Sequence, residues 1–278
     1  MNTARLKKEL KFLCSYLVKI IIGIIVISPL LFAFSSSLMP TVEIQAKPPR
    51  FIPSVPTIEN YITVLKKFPI ATYFKNTLIV CTIEVLAQVF ICSFAAYGFS
   101  FFKFKGKKLL FYAVLATMMI PAETTVVSNY LTIQQARLVN TYAGLVLPSL
   151  VGGMGIFLMR QYFLTVPKEL KEAATIDGCG DYRFFYRVLM PISVSNLVSL
   201  SIYVFVLSYN RYFWPLLVTN KDKMRTIQIG ASYLKSFDNI DYGLILAGAV
   251  VFLVPAILVF IIGMKYLVRG MTAGAVKG

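Results

Sequence analysis

The sequence contains no histidine and a single tryptophan. Without imidazole, histidine general-base chemistry and histidine metal ligation are excluded. Carboxylates are scarce as well, with 12 Asp and Glu against 28 Lys and Arg in 278 residues. The four cysteines, Cys14, Cys81, Cys92 and Cys179, form no CxxC pair. Cys81 and Cys92 share one apolar segment, where a helix would hold them about 16 Å apart, too far for a disulfide. All four read as free thiols. No GxxxxGK[ST] phosphate loop is present, so ATP hydrolysis by this chain is not expected. Charged residues make up only 14% of the chain, where soluble domains carry about 25%.

Apolar side chains are abundant instead: 58% of the residues are hydrophobic, and the mean hydropathy is +0.73. This composition points to a polytopic membrane protein. A formal net charge of +16 would suggest nucleic acid in a soluble protein. Here no basic stripe alternates with stacking aromatics, and in a membrane protein the excess reflects cytoplasmic-loop bias. Nucleic acid is therefore not expected as a partner. Six apolar segments, near 14–36, 77–101, 109–130, 143–164, 193–217 and 243–266, are long enough to cross the hydrocarbon core. Backbone groups in lipid must be satisfied within the segment, so helices are the default. The expected fold is an all-α membrane protein of six transmembrane helices, counted as one domain over 1–278. The basic start of the first segment and its "AFSSS" resemble a signal peptide. Its apolar stretch over 16–34 is longer than a signal-peptide core, so it is read as an uncleaved span. The short basic loop "FKFKGKK" (102–108) sets the orientation, with both termini cytoplasmic.

The polar loop over 165–192 is cytoplasmic on this topology. "VPKELKEAATIDG" reads as a helix of about 16 Å, with Pro167 at its first position and Glu169 near its positive end. Gly178 is placed to stop it in the left-handed region. Leu170, Ala173, Ala174 and Asp177 recur at helical spacing and share a face. Asp181 is expected to cap a second helix, "YRFFYRVLM", ended by Pro191. Phe184, Phe185, Val188 and Leu189 give that helix an apolar side. An amphipathic loop on the lipid surface is one reading. A rigid knob shaped for a protein cleft is the other, favoured by the alanine pair and by the two glycines flanking Cys179.

Glu172-Ala173-Ala174, three residues, Gly178, nine residues, then Val188-x-Met190-Pro191 resembles the EAA motif of ABC importer permeases, E-A-A-x3-G-x9-I-x-L-P. Only Val188 and Met190 depart from it. "LVNTYAGLVLP" (138–148), "FLMRQYF" (157–163), "NRYFWPLL" (210–217) and "VRGMTAGAVKG" (268–278) resemble carbohydrate-uptake permeases, in particular the second, six-span permease of the maltose and glycerol-phosphate types. The resemblance covers nearly the whole chain and is weakest in the first 40 residues and the first outer loop.

The resemblance implies a type I importer bundle in a bacterial or archaeal cell membrane. It implies a heterodimer with a second permease, a cytoplasmic ATPase dimer and an extracytoplasmic substrate-binding protein. The loop 165–192 would be a coupling helix, with Leu170, Glu172, Ala173, Ala174, Asp177 and Gly178 meeting the ATPase. ATP and Mg would sit in that ATPase, and no cofactor in this chain. The terminal "TAGAVKG" either reaches the ATPase or is a frayed end. The loop 218–242 either enters the cleft of the binding protein or is solvated. The implied cargo is a sugar or oligosaccharide, with a glycerol phosphoester or polyol as the alternative. A stand-alone secondary transporter would show inverted repeats, which the sequence lacks. A membrane-embedded enzyme would need the histidine or clustered carboxylates that are missing.

Polar groups inside spans are costly and face the bundle interior or a wet path. Glu84 and Gln88 lie one turn apart. Pro121 is expected to kink the third span, near Glu123, Thr124, Thr125 and Asn129. Asn196, Ser199 and Tyr203 share a face, followed by Tyr209 and Asn210. These groups suit a sugar path, and helix–helix packing is the competing role. Glu84 is expected to be a functional carboxylate or to pair with a cation of the second permease. Trp214 is expected to anchor at the membrane interface.

Overall fold

The computed structural model describes residues 3–234 and 241–272, and every regular element among them is helical. In chain order these are α1 (Thr3–Ser37), α2 (Thr41–Ile44), α3 (Glu59–Lys67), α4 (Ile70–Phe101), α5 (Lys107–Thr117), α6 (Ala122–Gln135) and α7 (Tyr142–Val146). A 3-10 turn at Leu147–Ser149 follows, then α8 (Gly153–Phe163), α9 (Lys168–Ile176) and α10 (Asp181–Phe184). A π-helical turn at Phe185–Leu189 leads into α11 (Met190–Ile192), α12 (Val194–Tyr209) and α13 (Phe213–Val218). A second 3-10 turn (Asp222–Met224), α14 (Ile227–Tyr233) and α15 (Tyr242–Thr272) complete the order.

Three helical stretches are long and apolar enough to cross a membrane unbroken: Phe12–Ser37, Ile70–Phe101 and Tyr242–Met264. Three more qualify as bent pairs: Lys107–Thr117 with Ala122–Gln135 at 94°, Tyr142–Ser149 with Gly153–Phe163 at 50°, and Asp181–Ile192 with Val194–Tyr209 at 79°. Of the expected segments 109–130, 143–164 and 193–217, the first bends at Pro121 as expected, and the other two are broken rather than continuous. In the first, Pro121 lacks an N–H and takes extended backbone (ψ 136°) before α6. In the second, Pro148 sits in a 3-10 turn and Gly152 is extended. In the third, the chain bends before Val194 and leaves the helix again after Tyr209.

The chain divides into two compact units. The first comprises Met1–Phe68 and Ala231–Leu253. Its core includes Met39, Val64, Leu244 and Ala247, all nearly inaccessible. Asn60 Nδ2 donates to the carbonyls of Ser37 (2.9 Å) and Met39 (2.8 Å). The Thr57 hydroxyl accepts from the Glu59 amide at the start of α3, although the cap position itself is Ile58. Asp241 receives the Thr41 hydroxyl (2.7 Å) and the Leu244 amide (3.1 Å). Glu43 Oε1 takes the amide (2.8 Å) and hydroxyl (2.7 Å) of Ser54 and also pairs with Arg50. Along α1, residues such as Ile25 and Val26 expose most of their apolar surface, the side that lipid would cover.

The second unit comprises Pro69–Gly230 and Val254–Gly278, with α4 packed on both α8 and α12. The α4–α8 approach is close: a Cβ on Gly155 would lie 2.8 Å from Cys92 Sγ. Cys92, Met159, Phe163, Phe184, Phe185 and Leu200 form a buried cluster where these helices meet the polar loop. The four cysteines are all free.

Candidate functional site

Two places in the second unit gather the residues that the sequence singled out. The first is the polar loop. Pro167 has extended backbone (φ −57°, ψ 134°) and stands one residue before α9, at the cap rather than in the first turn. Gly178 has φ +73°. Its amide bonds to the Thr175 carbonyl (3.0 Å), and the Cys179 amide bonds to the Ala174 carbonyl (2.8 Å). That pair of bonds is a Schellman closure, which satisfies carbonyls a helix end leaves open. Ala174 and Cys179 both pack against the buried cluster, supplying the apolar contact that accompanies such a closure.

The outward face differs from the expected one. Ala174 turns inward, while Leu170, Glu172, Ala173 and Asp177 are exposed. Ile176, which the sequence reading passed over, is 87% exposed and is the most prominent apolar group on α9. Its signal was available: an isoleucine at a helix end, three residues beyond Ala173. Helix phase explains the turn of Ala174, because Lys171 one turn earlier also faces inward. Lys171 Nζ lies 3.0 Å from Asp181 Oδ1 and 4.4 Å from the centre of the Phe102 ring.

Asp181 is therefore an ion-pair partner, and Gly180 holds the cap position before α10. Nor does Pro191 end the second helix. The π-helical turn at Phe185–Leu189 precedes it, and helix continues to Ile192 before the 79° bend. A proline ring clashes with the preceding turn of a tight α-helix, and the wider π turn relieves that clash. Phe184, Phe185 and Leu189 are buried and Val188 is half-buried, as expected. Phe185 meets Tyr97 (5.2 Å between ring centres) and Phe94 (5.2 Å), and Phe184 meets Phe101 (5.7 Å). The loop is anchored on α4 by aromatic packing.

The second place is a polar cleft. Glu84, inaccessible on α4, receives Arg211 Nη1 at 2.6 Å on Oε1. The carboxylate thus finds its cation within this chain. A buried carboxylate demands a cation, and "NRYFWPLL" offered one. Gln88, one turn along, donates Nε2 to the Ser149 carbonyl (2.7 Å), and a Cβ on Gly152 would sit 2.7 Å from Gln88 Oε1. Gln88 therefore braces the break between α7 and α8.

Glu123, Asn129, Ser149, Leu207, Arg211 and Trp214 line a cavity of 390 Å³. The structure brings Glu123 and Asn129 together with Arg211, and leaves Asn196, Ser199 and Tyr203 half-buried away from that lining. Tyr209 is buried and stacks on Phe205 (5.5 Å). Ser199 and Asn210 use their side chains on carbonyls one turn back, those of Ser195 and Val206. Trp214 is not an interface anchor. It is buried, and its Nε1 donates to the carbonyls of Gly144 (3.2 Å) and Leu145 (3.1 Å).

The stretch after the cleft is held by hydrogen bonds over 218–230, with Asn220, Lys221, Asp222 and Lys223 exposed. Asn76 Nδ2 donates to the carbonyls of Lys223 and Arg225 (both 2.9 Å), and the Thr77 hydroxyl accepts from the Ile227 amide (2.9 Å). Asn140, at φ +61°, accepts from the amides of Asn220 (2.7 Å) and Lys221 (3.0 Å). Ile227 and Ile229 are fully buried. The rest of that loop from 235 to 240, and the terminal "AGAVKG" (273–278), lie outside the described residues.

Residues 88–273 match the family described as "Binding-protein-dependent transport system inner membrane component". The chain is 33% identical over 261 residues to the arabinooligosaccharides transport system permease protein AraQ of Halalkalibacterium halodurans, covering 92% of this chain and 93% of that protein. It is 32% identical over 274 residues to the sn-glycerol-3-phosphate transport system permease protein UgpE of Rhizobium meliloti, covering 95% and 97%. It is 36% identical over 222 residues to the probable ABC transporter permease protein YurM of Bacillus subtilis, covering 79% and 74%. Its fold is similar to a chain in the crystal structure of a bacterial ABC transporter involved in the import of the acidic polysaccharide alginate. The TM-score is 0.82 at 19% identity, over 94% of this chain and 98% of that one. The broken apolar helices, the EAA-spaced knob and these matches agree: the chain is a permease subunit of the binding-protein-dependent transport system inner membrane component family.

Proposed function

We propose that the chain forms, with a second permease, the translocation path for a sugar or oligosaccharide handed over by an extracytoplasmic binding protein. The observation that carries this reading is α9, a short helix closed at Gly178, anchored by Phe184 and Phe185, with Leu170, Glu172, Ala173, Ile176 and Asp177 left outward. A helix held this rigidly at one side and open at the other suits a transmitted push between a cytoplasmic ATPase and the spans. ATP and Mg bind in that ATPase, and this chain supplies no hydrolytic site.

The basic loop supports the orientation. Lys103 and Lys107 lie around one cavity with Lys168 and Lys171, so the knob and the most basic short loop share an end of the unit. By the positive-inside rule that end is cytoplasmic, as are both termini. The charge of the cleft bears on cargo. Arg211 is already paired with Glu84, and Glu123 adds an exposed carboxylate. An uncharged glycan fits that lining better than a glycerol phosphoester, whose phosphate would meet Glu123 without a free cation.

The test is co-purification followed by transport. A tagged chain brings down an ATPase and a second permease, and Ala173→Arg releases the ATPase while the second permease stays. In proteoliposomes a neutral oligosaccharide on its binding protein stimulates ATP hydrolysis. Transport by this chain alone, driven by an ion gradient, would overturn the reading.

A further inference from the structure

A cavity of 800 Å³ opens between the C-terminal end of α4, the basic loop, α8 and α9. Lys103, Lys107, Lys168 and Lys171 line it, against one carboxylate, Glu172. Lys107 Nζ donates to the carbonyls of Phe102 (2.8 Å) and Ser100 (3.4 Å), which fixes its position. Lys171 is held by Asp181 and by the Phe102 ring. Arg160 and Lys168 both act on Lys107 through space. No carboxylate pairs with Lys103, Lys107 or Lys168 among the described residues. Cations gathered without counter-ions repel one another and gain from an anion.

The other wall is apolar, made chiefly by Phe101, Phe102, Phe163 and Leu164. The cavity also lies where two apolar helices meet: α4 ends at Phe101 and α5 begins at Lys107. Both helices belong to stretches long and apolar enough to cross a membrane, which places their junction at its edge, and Phe104, Leu109 and Leu110 beside it are exposed. A free phosphate ion would use the lysines and leave the apolar wall wet. A lipid uses both, with its phosphate on the cations and its glycerol and upper acyl chain on the rings.

We propose that this cavity binds the headgroup of an anionic phospholipid, wedged against α9. The site rests on the membrane placement and not on the coupling role, so either can fail alone. Because Lys168, Lys171 and Thr175 come from α9, the bound headgroup braces the knob from the membrane side.

The experiment uses the assembled complex in nanodiscs of phosphatidylcholine, with or without phosphatidylglycerol, and reads retained lipid by native mass spectrometry. Phosphatidylglycerol is retained over phosphatidylcholine by the natural chain. Lys103→Gln with Lys168→Gln weakens that retention roughly 25-fold, at about five-fold per cation near a charged surface. Exposed lysines carry no fold, so the complex still assembles. Equal retention of the two lipids, or unchanged retention in the double variant, overturns the proposal. So does displacement of the lipid by inorganic phosphate at matched concentration, which would assign the cavity to a soluble anion. Loss of the ATPase from the double variant with lipid retention intact would assign it to an acidic protein partner and overturns it as well.

Discussion

Arg211 Nη1 reaches Glu84 Oε1 at 2.6 Å across 127 positions of sequence. The carboxylate is inaccessible, while the guanidinium side chain keeps 25% of its surface and lines the cleft. The pair ties the non-helical break after α12 to the middle of α4. Removing one partner leaves a buried charge uncompensated, at a cost of about 3–5 kcal/mol. Arg211→Ala, which strands the buried carboxylate, is therefore expected to lower the unfolding midpoint sharply in detergent, and Glu84→Ala, which leaves a partly solvated guanidinium, by less. Glu84→Gln combined with Arg211→Gln should be milder than the sum of its parts. A double variant that merely adds the two losses would show that the groups are not coupled.

Gly178 has open space around it, since a Cβ there meets nothing within 4 Å. The cost of substitution is then conformational, because φ is +73°. Gly178→Val should destabilise the closure of α9 by roughly 1–2 kcal/mol, and Gly178→Asn by less. Both chains should insert normally. Transport per ATP hydrolysed in proteoliposomes should fall in the order Gly, Asn, Val.

Ile176 exposes 87% of its surface at the outer end of α9. Ile176→Glu removes nothing from the core, so its melting behaviour should match that of the natural chain. As an apolar contact at the centre of a docking face it should be worth about 2 kcal/mol, which corresponds to a roughly 30-fold loss of ATPase affinity. Surface plasmon resonance with the isolated ATPase reads this directly. Unchanged affinity would move the contact elsewhere on the loop.

Gly144 shows the opposite case. A Cβ there would lie 2.2 Å from the Leu138 carbonyl oxygen, and that oxygen is backbone. Gly144→Ala must shift the turn that carries Thr141, and with it the carbonyl that accepts from Trp214. A loss of about 1–3 kcal/mol is expected. A blue-shift or red-shift of the single tryptophan's fluorescence would accompany it.

Glu43 supplies a pH test outside the spans. Hydrogen bonds from the Ser54 hydroxyl and amide, with Arg50 adding charge, hold its carboxyl below the ordinary value of 4.5. A lowered folded value means that the contact's stabilisation is full above 4.5 and fades as pH falls through the lower value. Exchange of the Ser54 amide, corrected for its intrinsic rate, should accelerate across that acid window. In Glu43→Gln the acid-dependent step should vanish.

Much of this was readable in advance, for identifiable reasons. Hydropathy located six segments because the bilayer sets their length. The EAA spacing located the knob because its glycine must be left-handed, and Gly178 is. What hydropathy does not record is direction. Pro148 and Gly152 bend an apolar segment without making it less apolar, so that span read as straight, as did the one that bends before Val194, and only Pro121 announced its kink. Long-range pairing was equally invisible: nothing near Glu84 in sequence names Arg211. Ala174 went inward because packing against Cys179 and the buried cluster, rather than composition, decides which of two alanines faces out. Pro191 misled because its effect depends on the turn before it.

That turn has a consequence of its own. A π turn at Phe185–Leu189 accommodates one residue more than an α-helix would over the same rise. The surplus residue is absorbed locally, because the wider turn rotates the chain less per residue than the roughly 100° of an α-helix. The helix on either side therefore keeps its phase. Deleting one residue from this turn would restore a regular α-helix and leave Val194 in register with Asp181, but it would press the Pro191 ring against the carbonyl one turn back. The extra residue acts as a spacer that lets a proline ride inside a helix.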